Sequence, residues 1–419
     1  MLLYAWNLGG NTLSQTEEQQ NFHGKSSLAL LVLGLCEFVR GALLFFILPI
    51  YVRGVLGLST EVVGYAIGGH YTLDTGLRSI AGWCVDRFGE RKVVAVSLGI
   101  AWIGLWLIVR AHHGPLLVTG CGLLGIGMAA IWPATISRVT GGLKNGAYGA
   151  AMGSIMMAWL VGAGGGAITM SWFLGDHVRS GFAVLLSVWL FSYILSVVIM
   201  QGYRPEQHHR KRTSLQAVFH EVQSVRILFP GMFVQMFAVG LLLPVMVLYA
   251  RYELGFDGRM YSYLLIAGGA ATVLLQVPMG KLVDRYGYKP FLVGGFVLSG
   301  VMLPVVVQLH VIWEVFLGVA GFGSAYALVL PSWNSVLARS VTEKRRAVMF
   351  GVFMTVEGLG MAVGPLVGTE LWNIVGPVAP FYVAACILLF MSVFYSIVNL
   401  DKLFVHQDGL KALEHHKLA

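Results

Sequence analysis

Runs of roughly 20 apolar residues follow one another along the chain, separated by short polar breaks. Each run is long enough for a helix that crosses a bilayer, and the pattern predicts twelve spans. Their limits are 28–50, 62–84, 93–110, 116–136, 147–173 and 180–201, then 227–250, 260–281, 291–309, 312–336, 347–373 and 379–399. An even count puts both termini on one side of the membrane.

Composition supports that pattern. Of 419 residues, 57% are hydrophobic and only 11% are charged, too few to cover the surface of a soluble protein. The net charge of +8 has an uneven distribution. The loops after the even spans, with their flanks, hold 17 Lys and Arg, against 5 in the odd loops. This bias predicts that the even loops and both termini are cytoplasmic. No contiguous basic face with interleaved aromatics occurs, so no nucleic acid is expected as a partner. Cys36, Cys84, Cys121 and Cys386 all lie in apolar runs, as small packing residues do, and show no metal or disulfide spacing. The loops are too short for a catalytic domain. The glycine-rich stretch VGAGGGA lies inside a span, where close helix packing explains it, so the chain is not expected to be an enzyme. The first 26 residues lack the order of a cleaved signal, and the first span is expected to direct insertion.

The chain also repeats itself. GWCVDRFGERK (82–92) follows span 2, and GKLVDRYGYKP (280–290) follows span 8. VGAGGG (161–166) in span 5 has a counterpart, VGPLVG (363–368), in span 11. Duplication predicts an all-α membrane protein with two pseudo-symmetric six-helix bundles. The expected division is a cytoplasmic tail (1–26), an N-terminal bundle (27–201), a basic cytoplasmic linker (202–226), a C-terminal bundle (227–400) and a second tail (401–419). In the loop motif, Gly82 permits close approach, Asp86 and Arg87 offer charge at a helix end, Gly89 makes the turn and Lys92 follows. The second copy is Gly280, Asp284, Arg285, Gly287 and Lys289. This motif, with twelve spans in two halves, resembles the major facilitator superfamily of secondary transporters. The resemblance implies two bundles rocking about a central site. It also implies a latching role for the motif in the outward-facing state.

Span 1 carries Glu37 and Arg40 three residues apart, on one helix face. Span 2 carries His70, Asp74 and Arg78, each four residues apart, on one stripe. Ionised groups at that depth face a protein interior or a watery cavity and have partners. Two readings stand: a buried ion-pair network that fixes helix register, or a polar cavity that exchanges protons. On the second, Asp74 and Glu37 carry the proton, Arg40 pairs with them or holds a substrate group, Arg78 assists, and His70 relays protons or bonds a neighbour. The C-terminal half is oilier. Glu357 is its charge deep inside a span, with Gln235, Trp333 and Asn334 as polar accents that are candidates for substrate contact. A polar half facing an oily half suits an amphiphile.

EFVRG (37–41), HYTLD (70–74), GIGMAAIWP (125–133), MMAWLVG (156–162), LFPGMFVQ (228–235), LPSWNSVLAR (330–339) and GVFMTVEGLGMAVGPLVG (351–368) occur in that order. They resemble the proton-coupled flippases that export the glycolipid anchor of lipoteichoic acid in Gram-positive bacteria. The resemblance implies a headgroup and proton site of Glu37, Arg40, Asp74, Trp132 and Trp159, the tryptophans offering aromatic faces to a sugar ring. It also implies a diglucosyl-diacylglycerol type of substrate, moved from the inner to the outer leaflet of the bacterial cell membrane. The energy source is the proton gradient, with no cofactor, and a monomer is expected. Arg78 and Glu357 depart from that family's pattern. The alternatives are a proton-driven multidrug exporter of the same superfamily, against whose cationic substrates Arg40 and Arg78 count, a transporter of small sugars or organic anions, against which the oily C-terminal half counts, and a non-transporting receptor or assembly factor.

Overall fold

The computed structural model describes residues 26–140, 148–175, 177–199, 222–340, 346–398 and 400. Twelve long helices make up most of these residues, and no strand occurs among them. They are α1 (Ser26–Val55), α2 (Thr60–Phe88), α3 (Glu90–Arg110), α4 (Gly114–Thr140), α5 (Tyr148–Leu174), α6 (Val178–Ile199), α7 (Val222–Tyr252), α8 (Gly258–Tyr286), α9 (Tyr288–Val306), α10 (Ile312–Arg339), α11 (Arg346–Ile374) and α12 (Ala379–Ile397). Eleven are long and apolar enough to cross a membrane on composition alone. The exception is α2, whose hydropathy is lowered by Glu61, His70, Asp74, Arg78, Asp86 and Arg87. The tails and most of the 202–226 linker lie outside the described residues.

Most helices run up to a turn or so past the apolar stretch expected for them, because their charged ends continue into the polar interface. Arg138, Arg226, Lys281, Arg285 and Arg339, expected in loops, therefore lie on helices. Two turns have a specific backbone cause. Gly89 has φ 87° and Gly287 has φ 86°, a region that strains any side chain. These glycines, one in each motif copy, let α2 turn directly into α3 and α8 into α9. Pro133 has a different effect. It lacks the N–H that would bond the Ala129 carbonyl, and α4 breaks at Ala129–Ala130. The break lies just before Trp132.

Two glycine seams hold α1 to α5 and α7 to α11. A Cβ added at Gly162 would lie 2.9 Å from the Glu37 Cβ, and one at Gly364 would lie 2.6 Å from the Leu241 nitrogen. The two repeated stretches, 161–166 and 363–368, thus supply equivalent close approaches. Helices α2, α3 and α4 pack together in the first half, and α8, α9, α10 and α12 in the second.

The halves meet through α2 against α11 and α5 against α8. Their contacts concentrate at the end away from the loop motif. There the Asn373 side chain donates to Glu61 at 3.0 Å, Ser171 and Ser262 share a hydrogen bond at 2.7 Å, and the Tyr261 hydroxyl donates to the Phe45 carbonyl at 3.4 Å. Arg53 lies over the rings of Tyr252, at 4.6 Å, and Trp372, at 5.6 Å. Deeper in, Gly358 on α11 abuts Thr75 on α2. No hydrogen bond or ion pair joins the halves at the motif end among the described residues.

Candidate functional site

The predicted charged residues of α1 and α2 form one ladder. Trp132 Nε1 donates to Glu37 Oε1 at 2.9 Å. Arg40 Nη2 meets Glu37 Oε2 at 2.5 Å, and its other terminal nitrogen, Nη1, reaches Asp74 Oδ2 at 3.3 Å. Arg78 Nη2 meets the same Asp74 oxygen at 2.8 Å. Each link has a sequence cause. Glu37 and Arg40 share a face at i and i+3, as do Asp74 and Arg78 at i and i+4. The planar Arg40 fork suits two acceptors at once. The break before Pro133 lies where α4 turns the Trp132 indole toward Glu37.

Two acids face two bases, so the ladder is neutral as a whole, as burial at this depth demands. Glu37 and Asp74 are both fully buried, and the Arg78 side chain, 17% exposed, is the most open member. Arg78 is one turn nearer the motif end than Asp74. Asp74 Oδ1 accepts no hydrogen bond from a described residue. Arg40 also lies over the Tyr71 ring at 5.8 Å.

Other predicted residues lie elsewhere. His70 turns from the ladder to α4, with Nδ1 3.3 Å from the Cys121 carbonyl. Trp132 is buried by its bond to Glu37 and offers no free face for a sugar in this conformation, contrary to the stacking expected of it. Trp159 is the more open of the two. It is 37% exposed and lies one turn toward the motif end from Gly162, the residue pressed against Glu37. Asp86 and Arg87 are exposed, with Arg87 over its neighbours Trp83 and Phe88, and Asp284 and Arg285 are exposed too. The motif is not engaged across the halves here.

The sequence profile of the Major Facilitator Superfamily matches residues 30–226 and 228–407. The chain belongs to that superfamily of membrane transporters. The proton-coupled antiporter flippase LtaA of Staphylococcus aureus (strain USA300) is 26% identical over 399 residues, covering 91% of this chain and 97% of its own. The protein of the same name from strain MSSA476 gives the same figures. Among solved structures, a mutant of the nucleoside transporter NupG superposes with a TM-score of 0.68 at 12% identity, covering 91% of this chain and all of its own, a likeness of fold.

The C-terminal half repeats the first with one carboxylate, Glu357, deep inside its spans in place of the ladder. Gln235 on α7 is buried and donates to the Tyr326 hydroxyl on α10 at 3.5 Å. Trp333, also buried, has its indole nitrogen near the half-buried Glu357 carboxylate without meeting strict hydrogen-bond geometry. Asn334 is exposed. Aromatic rings dominate this side: Phe233 stacks on Phe237, and Phe322 on Tyr326.

Sequence reasoning missed one buried pair. Arg138 Nε meets Glu90 Oε1 at 3.1 Å, tying the start of α3 to the end of α4. Reading the helices to their true ends would have put both residues at the same level. The Arg53 cage was missed too. An arginine alone in an odd loop, with Tyr252 and Trp372 at other helix ends, was the available signal.

Proposed function

We propose that this transporter exchanges protons for a glycolipid, carrying a diglucosyl-diacylglycerol type of substrate from the inner to the outer leaflet of a bacterial cell membrane. The observation that carries this is Asp74, whose Oδ2 holds two arginines while its Oδ1 is left without a donor. As a carboxylate it accepts the hydrogen of a sugar hydroxyl in a charge-assisted bond; once it carries a transported proton the group is neutral and that bond is weakened. Proton and sugar therefore compete at one carboxyl, and such competition is what an antiporter needs.

The rest of the ladder extends the chemistry. A proton on Asp74 weakens both its arginine bonds, and the fork of Arg40 then seeks hydroxyl oxygens on the headgroup. Glu37 holds the other end of Arg40 and is the second proton carrier of the ladder. Trp132 positions Glu37, and Trp159 gives the sugar an aromatic face. The aromatic and aliphatic C-terminal half takes the acyl chains. Arg78 screens Asp74 on the motif-end side and swings aside to admit proton or sugar. On the positive-inside bias the motif end is cytoplasmic and both termini lie there, so this conformation receives lipid from the inner leaflet. The motif residues Asp86 and Arg87 engage when the halves close at that end. Each of the two six-helix bundles, 27–201 and 227–400, moves as a unit, and one chain suffices. The name of the S. aureus relative, a proton-coupled antiporter flippase, supports both coupling and a lipid substrate.

The test is paired transport in liposomes. A labelled diglucosyl-diacylglycerol should flip faster under an imposed proton gradient, and Asp74→Asn or Glu37→Gln should abolish the gradient's effect. Variants that respond as the unmodified protein does refute the coupling. A cationic dye moved in place of the lipid refutes the substrate.

A further inference from the structure

Glu357 has no role in the ladder, yet it lies deep in the membrane. It is eleven residues into α11, about 16 Å from the helix start at the helical rise. Its neighbour Gly358 abuts Thr75, the neighbour of Asp74. Two carboxylates are therefore at the same depth, on either side of the contact where α2 meets α11.

Their surroundings differ. Asp74 is held by Arg40 and Arg78. Among the described residues no basic side chain comes within ion-pair distance of Glu357. From α10 it faces Trp333 and the phenol of Tyr326, which Gln235 of α7 reaches. On α2 the charged groups on the turns around Thr75 are Asp74 and Arg78, already joined at 2.8 Å. α12, also packed on α11, carries no charged residue. A carboxylate without a counter-ion at this depth is too costly to keep ionised, and it holds a proton until water reaches it. One buried polar atom beside it is left without a partner: the Gln235 carbonyl oxygen, on a side chain at least nine-tenths buried, while the buried Trp333 indole N–H lies against the Glu357 carboxylate itself.

We propose that Glu357 is a second proton-binding site, in the C-terminal half, and that the transporter moves more than one proton per lipid. This rests on the antiport reading of the ladder and deepens it. When the halves rock, the Thr75–Gly358 contact slides or parts, and water reaches Glu357 together with Asp74. Glu357 then releases its proton to one side and takes another from the other. Trp333 donates to the ionised form, and the neutral form is the one that crosses in the closed seam.

Two measurements test it. The first is infrared spectroscopy of the purified protein at neutral pH. A protonated-carboxyl band should be present, should be lost in Glu357→Gln, and should persist in Asp74→Asn and Glu357→Asp. The second is the steady-state ratio of labelled diglucosyl-diacylglycerol between leaflets, measured as the imposed pH gradient is varied at zero membrane potential. With two protons it changes about a hundredfold per pH unit in the unmodified protein, and in Glu357→Gln about tenfold, since each proton contributes about one factor of ten. The slope in the unmodified protein needs no variant to fold. An unchanged spectrum in Glu357→Gln, or a one-proton slope in the unmodified protein, overturns the proposal. Loss of cationic-dye transport in Glu357→Gln with the lipid ratio intact also overturns it, marking a cation site instead. If Asp74→Asn keeps the full gradient response, the ladder's coupling fails, and the infrared band still decides Glu357 on its own.

Discussion

Replacing Arg40 by Met breaks the ladder at its centre. The guanidinium contributes one terminal nitrogen to Glu37 at 2.5 Å and the other to Asp74 at 3.3 Å. A hydrogen bond to a charged group is worth about 1.5–3 kcal/mol, and two such bonds give about 3–6 kcal/mol. Breaking a buried ion pair by deleting one partner costs about 3–5 kcal/mol, because a charge is left uncompensated. The two routes agree, so Arg40→Met should lower unfolding free energy by about 4 kcal/mol. Arg40→Lys keeps the charge but offers one point donor where the fork serves two, and should lose about 1.5–3 kcal/mol. Glu37→Gln in the Met background removes the surplus negative charge. It should recover stability, with an interaction energy of about 1–3 kcal/mol. Equilibrium unfolding in mixed detergent micelles, run on the single and double variants, measures each term. Additivity within about 0.5 kcal/mol refutes the shared-arginine ladder.

Arg53→Ala removes the cation from between Tyr252 and Trp372, worth about 1–2 kcal/mol to the closed end. Spin labels at positions 61 and 373 should then report a larger population of the separated state. An unchanged distance distribution refutes a latch there. Gly162→Leu drives a side chain into Glu37 and Gly34 and should destabilise the protein by about 1–3 kcal/mol while abolishing gradient-driven transport. Gly164→Leu, where a Cβ meets nothing within 4 Å, should do neither. Equal thermal stability of the two variants refutes the seam.

Much of the fold was legible because apolar length and turn chemistry are local. Twelve spans, the repeated glycines and the turns at Gly89 and Gly287 follow from short stretches of sequence. The pairing of Glu37 with Arg40, and of Asp74 with Arg78, was legible for the same reason, since helical spacing fixes both. What spacing could not supply was the link between helices. That Arg40 spans to Asp74, that Trp132 gives its N–H to Glu37, and that His70 turns to Cys121 all depend on how α1, α2 and α4 are rotated against one another. Those rotations are set by seams such as Gly162 on Glu37 and Gly125 on the His70 backbone, which join residues far apart in the chain. The Glu90–Arg138 pair escaped because both residues fall at helix ends that hydropathy places in loops.

The energies of the closed end bear on the proposed proton coupling. Ser171 with Ser262, and Tyr261 with the Phe45 carbonyl, are neutral hydrogen bonds, each worth about 0.5–1.5 kcal/mol net. The bond from Asn373 to Glu61 is exposed and adds little more. With the Arg53 cage, the latch sums to a few kcal/mol. A proton descending one pH unit releases about 1.4 kcal/mol, so one or two protons per cycle match the latch in size. A much stronger latch would lock the halves, and a much weaker one would let protons cross without cargo. The ladder is different. Its bonds are buried and charge-assisted, too strong to be broken by rocking alone, so under the proposed antiport the N-terminal half moves as one piece and the change of state falls on the seam between α2 and α11. Protonating Asp74 acts on that seam directly, because Thr75, the next residue, is the one that touches Gly358.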